Sequence, residues 1–251
     1  MTDSTADNRR PAFSGYADAR ETGLVVVSAL AVGLLTALVF SVRPDLDIAV
    51  SKGFGGAAGA FSMAGETFWQ SLRTLFLRGF TLWYVVIVAA WLLSASRRAP
   101  VLNLSWERWF YMVLCSLTGP LLLVNIVLKE HWGRWRPREI FELGGSEIFT
   151  PVLSPAGTCF DNCSFVSGEV ASMAMAFMAL AFSTRHWRPI HYALAVAMGA
   201  LEALIRVGQG GHFLSDAIFA CVFMVLIAAG IYAWLFLSRF SPLPYLRSRL
   251  K

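Results

Sequence analysis

Charge is scarce in this chain. Only 15% of its 251 residues are Asp, Glu, Lys or Arg, against 57% hydrophobic residues and a mean hydropathy of +0.59. A water-soluble globule carries about a quarter charged residues, so this balance excludes that class and points to an integral membrane protein. Zinc-type cysteine spacing is also missing: the four cysteines contain no C-x-x-C pair, which removes the common structural metal sites. No nucleic-acid-binding module, no internal repeat and no linker long enough to separate a second domain is present. The first apolar run lacks a small-residue cleavage pattern, so it is expected to remain as an anchor helix and not to leave as a signal peptide.

What the chain has instead is six charge-poor runs, Gly23 to Val42, Phe80 to Ala95, Phe110 to Leu128, Val170 to Ser183, Ile190 to Ile205 and Leu214 to Leu237. Most approach the ~20 residues that carry a helix across a bilayer; the fourth is shorter and is expected to borrow from Ser164 onward. The expectation is an all-α, six-transmembrane bundle over residues 23-237, flanked by an N-terminal tail, 1-22, and a basic C-terminal tail, 238-251. An even number of spans puts both tails on one side. Arg9, Arg10, Arg20, Arg97, Arg98, Arg108, Arg185, Arg188, Arg239, Arg247, Arg249 and Lys251, twelve of the 21 basic residues, predict that this side is cytoplasmic. Their attraction to anionic lipid accounts for the pI near 9.3, so membrane lipids are the expected partners, with no nucleic acid and no obligate protein partner.

Two connections on the other side are long. The first, Arg43 to Gly79, holds DLDIAV and a Gly/Ala-rich patch, then Phe68, Trp69, Leu72, Leu75 and Phe76 at helical spacing. That last stretch reads either as an amphipathic helix along the membrane surface or as a partly buried connecting helix. The second, Lys129 to Cys163, is rich in charge. Cys159 and Cys163 lie in it, where an oxidising compartment allows a disulfide; two free thiols are the alternative. Cys115 and Cys221 fall within spans and read as packing residues.

Three clusters share the predicted outer face. KEHWGRWRP carries Lys129 and Arg136; SFVSGE places Ser167, Gly168 and Glu169 at the start of the fourth span; IRVGQGGHFLSD brings Arg206, His212 and Asp216. Ionisable groups beside a bilayer are costly and are functional candidates by default. Three cations, a hydroxyl and N–H groups at a helix start suit a tetrahedral oxyanion. Histidine is a competent nucleophile toward phosphorus, and Asp216, four residues on, is expected to hold its tautomer.

These blocks resemble the type 2 phosphatidic acid phosphatases, which share their site with vanadium haloperoxidases and glucose-6-phosphatase. The family pattern is Lys, six residues, Arg-Pro; Pro-Ser-Gly-His; then Ser-Arg, five residues, His, three residues, Asp. Lys129 to Arg136-Pro137 matches the first block, and Arg206, His212 and Asp216 match the third in spacing. The resemblance implies a six-span bundle and a phosphohistidine formed on His212 and oriented by Asp216. It implies that Lys129, Arg136, Arg206 and Ser167-Gly168 hold the phosphoryl oxygens, with no cofactor and no metal. It also implies a lipid phosphate substrate and a site facing away from the cytoplasm, here the periplasmic side of a bacterial inner membrane. DLDIAVS, HWGRWRP, SFVSGE and QGGHFLSD are most similar to the bacterial lipid A phosphatases of that family; phosphatidylglycerophosphate, phosphatidate and undecaprenyl diphosphate phosphatases share the same core.

The chain departs from the pattern in three places. Val166 replaces the proline, Ile205 the serine, and Glu169 stands where a histidine would protonate the leaving group. Glu169 is therefore expected to be the general acid, or else to orient Arg136 or Lys129. Glu202 and Asn125, each four residues before a cation, are expected either to fix the rotamers of Arg206 and Lys129 or to form plain intrahelical polar pairs. A divalent metal on His212, Asp216 and Glu169, and a non-catalytic lipid-binding or transport bundle, are the competing readings.

Overall fold

In hydrocarbon the backbone N–H and C=O groups of an apolar run have only each other as partners, so each run folds as a helix. The computed structural model describes residues 12–55, 60–155 and 158–249; Arg9, Arg10 and Lys251 lie outside them. In chain order the helices are α1 (Ala12–Val42), the short α2 (Asp45–Lys52), α3 (Thr67–Arg97), α4 (Trp106–His131), α5 (Gly168–Ser183), α6 (Arg188–Gly208), α7 (Leu214–Leu237) and the short α8 (Leu243–Arg249). Among the described residues there are no named strands. α1 begins at Ala12, ahead of the expected boundary at residue 22, and α8 lies in the expected C-terminal tail.

Five helices, α1, α3, α4, α6 and α7, are long and apolar enough to cross a membrane; α5, with 16 residues, is shorter. The fourth expected span therefore does not borrow from Ser164. α5 starts at Gly168 because Ser167 caps it, accepting from Val170 N, while the Ser164 amide is committed to the Arg134 carbonyl at 2.7 Å. A second departure concerns Phe68 to Phe76. That stretch lies neither along the surface nor in a separate connecting helix; it is the first part of α3, continuous with the second expected span.

α5 is the centre of the bundle and packs against α6, α7 and α4. Lipid tails are as apolar as leucine, so helices in a bilayer associate by close packing and polar contacts. The buried Ala171, Ala174, Ala179 and Ala181 of α5 meet that need. Tyr111 of α4 donates its hydroxyl to the Ala228 carbonyl of α7 at 2.9 Å. α1 and α3 sit outside, turning Leu34, Leu38, Leu82 and Val85 outward. Within α4, Leu117–Leu128 is π-helical around Pro120, whose missing N–H interrupts the regular helical ladder; Asn125 Nδ2 donates to the Pro120 carbonyl at 2.9 Å.

The C-terminal ends of α4 and α6 and the N-terminal ends of α3, α5 and α7 gather at one end of the bundle. At the other, Arg188 ties three helices: Nη1 meets Asp18 Oδ1 at 3.0 Å and Glu21 Oε2 at 2.7 Å, and Nε donates to the Ala181 carbonyl at 3.1 Å. Removing one partner of a buried pair costs roughly 3–5 kcal/mol, and the partial exposure of Glu21 lowers that to about 2 kcal/mol. Arg188→Met should accordingly lower the thermal unfolding midpoint in detergent while leaving KM unchanged, which a melting curve and an assay on the same preparation check.

Candidate active site

The gathered helix ends enclose a cavity of about 650 Å³. Lys129, Arg136, Arg206, His212, Arg73, Glu169 and Asn162 line its polar end; Leu77, Phe80, Ile87, Val113, Leu117 and Leu121 of α3 and α4 line the rest. Such a space fits an amphiphile with an anionic head.

His212 is 2% exposed. Its Nδ1 lies 2.7 Å from the Ser164 carbonyl. A carbonyl only accepts, so Nδ1 carries the proton and Nε2 keeps its lone pair, the tautomer a nucleophilic histidine requires. Sequence spacing assigned this orienting role to Asp216 directly, and the structure corrects it: Asp216 Oδ2 is 3.9 Å from His212 Nδ1, beyond hydrogen-bond reach. Asp216 acts one step removed. Its Oδ2 accepts from Ser164 Oγ at 2.5 Å and from Phe213 N at 2.9 Å, and its Oδ1 pairs with Arg134. The carboxylate thus fixes both the residue that holds the ring and the peptide that follows it.

Lys129, Arg136 and Arg206 all line the cavity. Among the described residues neither Lys129 nor Arg136 is ion-paired. The Arg136 guanidinium donates twice to the Asn162 carbonyl, at 3.1 and 2.6 Å, and Lys129 Nζ to Asn162 Oδ1 at 3.4 Å. Asn162 sits inside the Cys159–Cys163 disulfide loop, so the bridge constrains the residue that carries both cations. Two unpaired cations in a half-buried cleft leave positive charge for an anion to balance. Ser167 and Gly168 stand at the start of α5. A methyl group at Gly168 would come within 3.3 Å of Lys129 Nζ, and one at Gly211 within 2.3 Å of Arg206 Nη2, so both glycines make room for cations.

Glu169 contacts neither Arg136 nor Lys129. Arg73 grips both of its oxygens at 2.8–3.2 Å, and Arg206 Nε lies 3.2 Å from Oε1, the geometry of an ionised carboxylate. Glu202 forms no ion pair with Arg206 and lies against Glu169 instead; Arg206 Nη1 donates to Gln209 Oε1 at 2.8 Å. Lys129 Nζ hydrogen-bonds to Asn162 and not to Asn125, whose Nδ2 donates to the Pro120 carbonyl. Nor do His212, Asp216 and Glu169 assemble as a metal-ligand set, since Asp216 and Glu169 are each engaged by an arginine. Arg73, Arg134, Asn162 and Ser164 escaped the sequence reading. The last three lie within or beside the quoted motifs, and Arg73 lies on the helical stretch read as either a surface helix or a partly buried connecting helix.

The PAP2 superfamily profile matches residues 108–240. The chain belongs to that superfamily. A lipid A 4'-phosphatase of Francisella tularensis subsp. novicida is 32% identical over 215 residues, 84% of this chain and 96% of the relative. One from Rhizobium leguminosarum is 36% identical over 214 residues, 78% and 89% respectively. The crystal structure of a transmembrane PAP2-type phosphatidylglycerolphosphate phosphatase from Bacillus subtilis superposes with a TM-score of 0.55 at 21% identity, over 86% of this chain and 98% of that one. The protein is thus a multi-pass membrane phosphatase.

Burial, then the charges of Arg206, Arg136 and Lys129, push the His212 imidazole well below its usual range, against a smaller opposing contribution from the Ser164 carbonyl. A lowered value keeps the ring neutral, and so nucleophilic, into acid. The acid limb of the kcat/KM profile should therefore lie below pH ~6.5, the ordinary histidine value. Arg206→Gln removes one repelling charge and should move that limb upward on the same substrate, besides lowering the rate; a limb that stays or falls would contradict the assignment.

Proposed function

We propose that this phosphatase removes a phosphate from a lipid phosphomonoester of the lipid A type, through a phosphohistidine on His212, at the periplasmic face of a bacterial inner membrane. The observation that carries the reading is the cavity itself, in which unpaired cations and a neutral, oriented histidine occupy one end of a space whose other walls are apolar. The relatives named lipid A 4'-phosphatase support the substrate class.

In this reading Lys129, Arg136 and Arg206 neutralise the phosphoryl oxygens with the N–H groups at the start of α5, and Nε2 of His212 attacks phosphorus in line with the departing lipid oxygen. Positioning and charge stabilisation supply most of the rate in phosphoryl transfer. Asp216 holds the ring through Ser164. Glu169, beside the cavity, passes a proton to the leaving oxygen. The apolar wall of α3 and α4 takes the chains. Arg20, Arg97, Arg98, Arg108 and Arg185 lie at the bundle end opposite the cavity, which supports a periplasmic site by the bias of basic residues toward the cytoplasm.

The purified protein, assayed in EDTA against lipid A bisphosphate, phosphatidylglycerophosphate, phosphatidate and undecaprenyl diphosphate, should release the 4'-phosphate of lipid A at least about 10-fold faster than phosphate from the others. His212→Ala should lose activity on the order of 10⁴-fold or more. A preference for phosphatidate, or loss of activity in EDTA, would overturn the reading.

A further inference from the structure

Glu169 poses a difficulty as a proton donor. Its oxygens accept from Arg73 and lie against Arg206, and an ionised carboxylate has no proton to give. The proton must come from a neighbour. Directly behind it, on α6, Glu202 is 0% exposed, and no described group donates to either of its oxygens. A buried carboxylate with no donor is among the costliest arrangements a protein can hold. Glu202 is outside the cavity lining, whereas Glu169 is part of it, and the two carboxyl groups are neighbours that act on each other electrostatically. Two neighbouring carboxyl groups satisfy one another when they share a single proton. The charged groups that face Glu202 are Glu169 from α5, Arg206 from its own helix and Arg73 from α3.

We propose that Glu202 stores the proton that Glu169 delivers to the departing lipid oxygen, so that a carboxyl pair replaces the histidine acid of the family pattern. As the bond between His212 Nε2 and phosphorus forms and the P–O ester bond breaks, Glu169 gives a proton to the alkoxide and draws one from Glu202. Both carboxyls are then ionised, held by Arg73 and Arg206. When water attacks the phosphohistidine and the N–P bond breaks, the water proton returns to the pair. Glu202 never touches substrate and is a positioning residue for the proton. The proposal rests on the phosphohistidine reading and extends it to the source of the acid.

The test compares wild type, Glu202→Gln and Glu202→Asp on a lipid phosphomonoester and on p-nitrophenyl phosphate, whose leaving group departs without a proton. Glu202→Gln should lower kcat on the lipid by about 10²-fold, the typical contribution of general acid catalysis, and on the aryl ester by about threefold or less. Glu202→Asp should recover part of the lipid rate, and the loss of wild-type kcat at rising pH, as the shared proton leaves, should be absent in Glu202→Gln. Equal losses on both substrates, or a Gln variant with the full lipid rate, would overturn the relay. A protonated carboxyl stretch in the infrared spectrum of the wild type at neutral pH, shifted by ¹³C-glutamate, is expected as a readout that needs no variant to fold; its absence also overturns the relay. A wild type inactive on every lipid phosphate would instead overturn the reading beneath it.

Discussion

One buried guanidinium fixes the geometry of everything else in the site. Arg134 is 0% exposed, and each nitrogen has a partner: Nε donates to the Thr150 carbonyl at 2.9 Å, Nη1 to Ser215 Oγ at 2.9 Å and to Asp216, and Nη2 to Asp47 at 2.8 Å. Taking a charge out of water costs several kcal/mol, so such a group persists only when it is paired and hydrogen-bonded. Its partners come from α2, the connection after α4 and the start of α7, so the charge holds together segments distant in sequence. The Phe213 ring lies beneath it at 4.3 Å. Asp47 in turn accepts from the backbone and hydroxyl of Ser215, at 3.0 and 2.5 Å. The chain of consequence runs from Arg134 to Asp216, from Asp216 to Ser164, and from Ser164 to the ring of His212.

Around that anchored centre the remaining charges divide into two groups. Arg73 and Arg206 are engaged by Glu169, while among the described residues the Lys129 and Arg136 side chains hydrogen-bond to Asn162 and form no ion pair. The first group sets position, and the second leaves unbalanced charge at the polar end of a cavity whose other walls are apolar. A lipid phosphate satisfies both ends at once: its anion supplies what the cations lack, and its chains occupy wall that water would wet poorly.

Much of this was legible in the sequence, for reasons that also mark where legibility stops. The apolar runs announced the helices because hydrocarbon leaves the backbone no alternative. Lys129, Arg136, Arg206 and His212 were legible because charge beside a bilayer is costly and these residues stand at motif spacing. Contacts between segments were not. Helical spacing placed Asp216 beside His212, yet Asp216 is claimed by Arg134, which lies 82 residues away, and the ring turns to a carbonyl that no side-chain pattern announces. In the same way Glu169 read in the sequence as the general acid or as a residue orienting Arg136 or Lys129, and no spacing announced Arg73, which reaches it from α3, 96 residues earlier. The stretch carrying Arg73 read as either a surface helix or a partly buried connecting helix, because its aromatic residues obscured its continuity with the span that follows.

The central claim is that His212 forms a bond to phosphorus, and a rapid-quench experiment tests it most directly. Enzyme mixed with ³²P-labelled lipid phosphate and stopped in alkali should yield one labelled peptide containing His212, stable to base and lost in acid, at a level approaching one phosphate per chain. Label on Ser167, or turnover with no phosphoprotein at any quench time, would contradict the account.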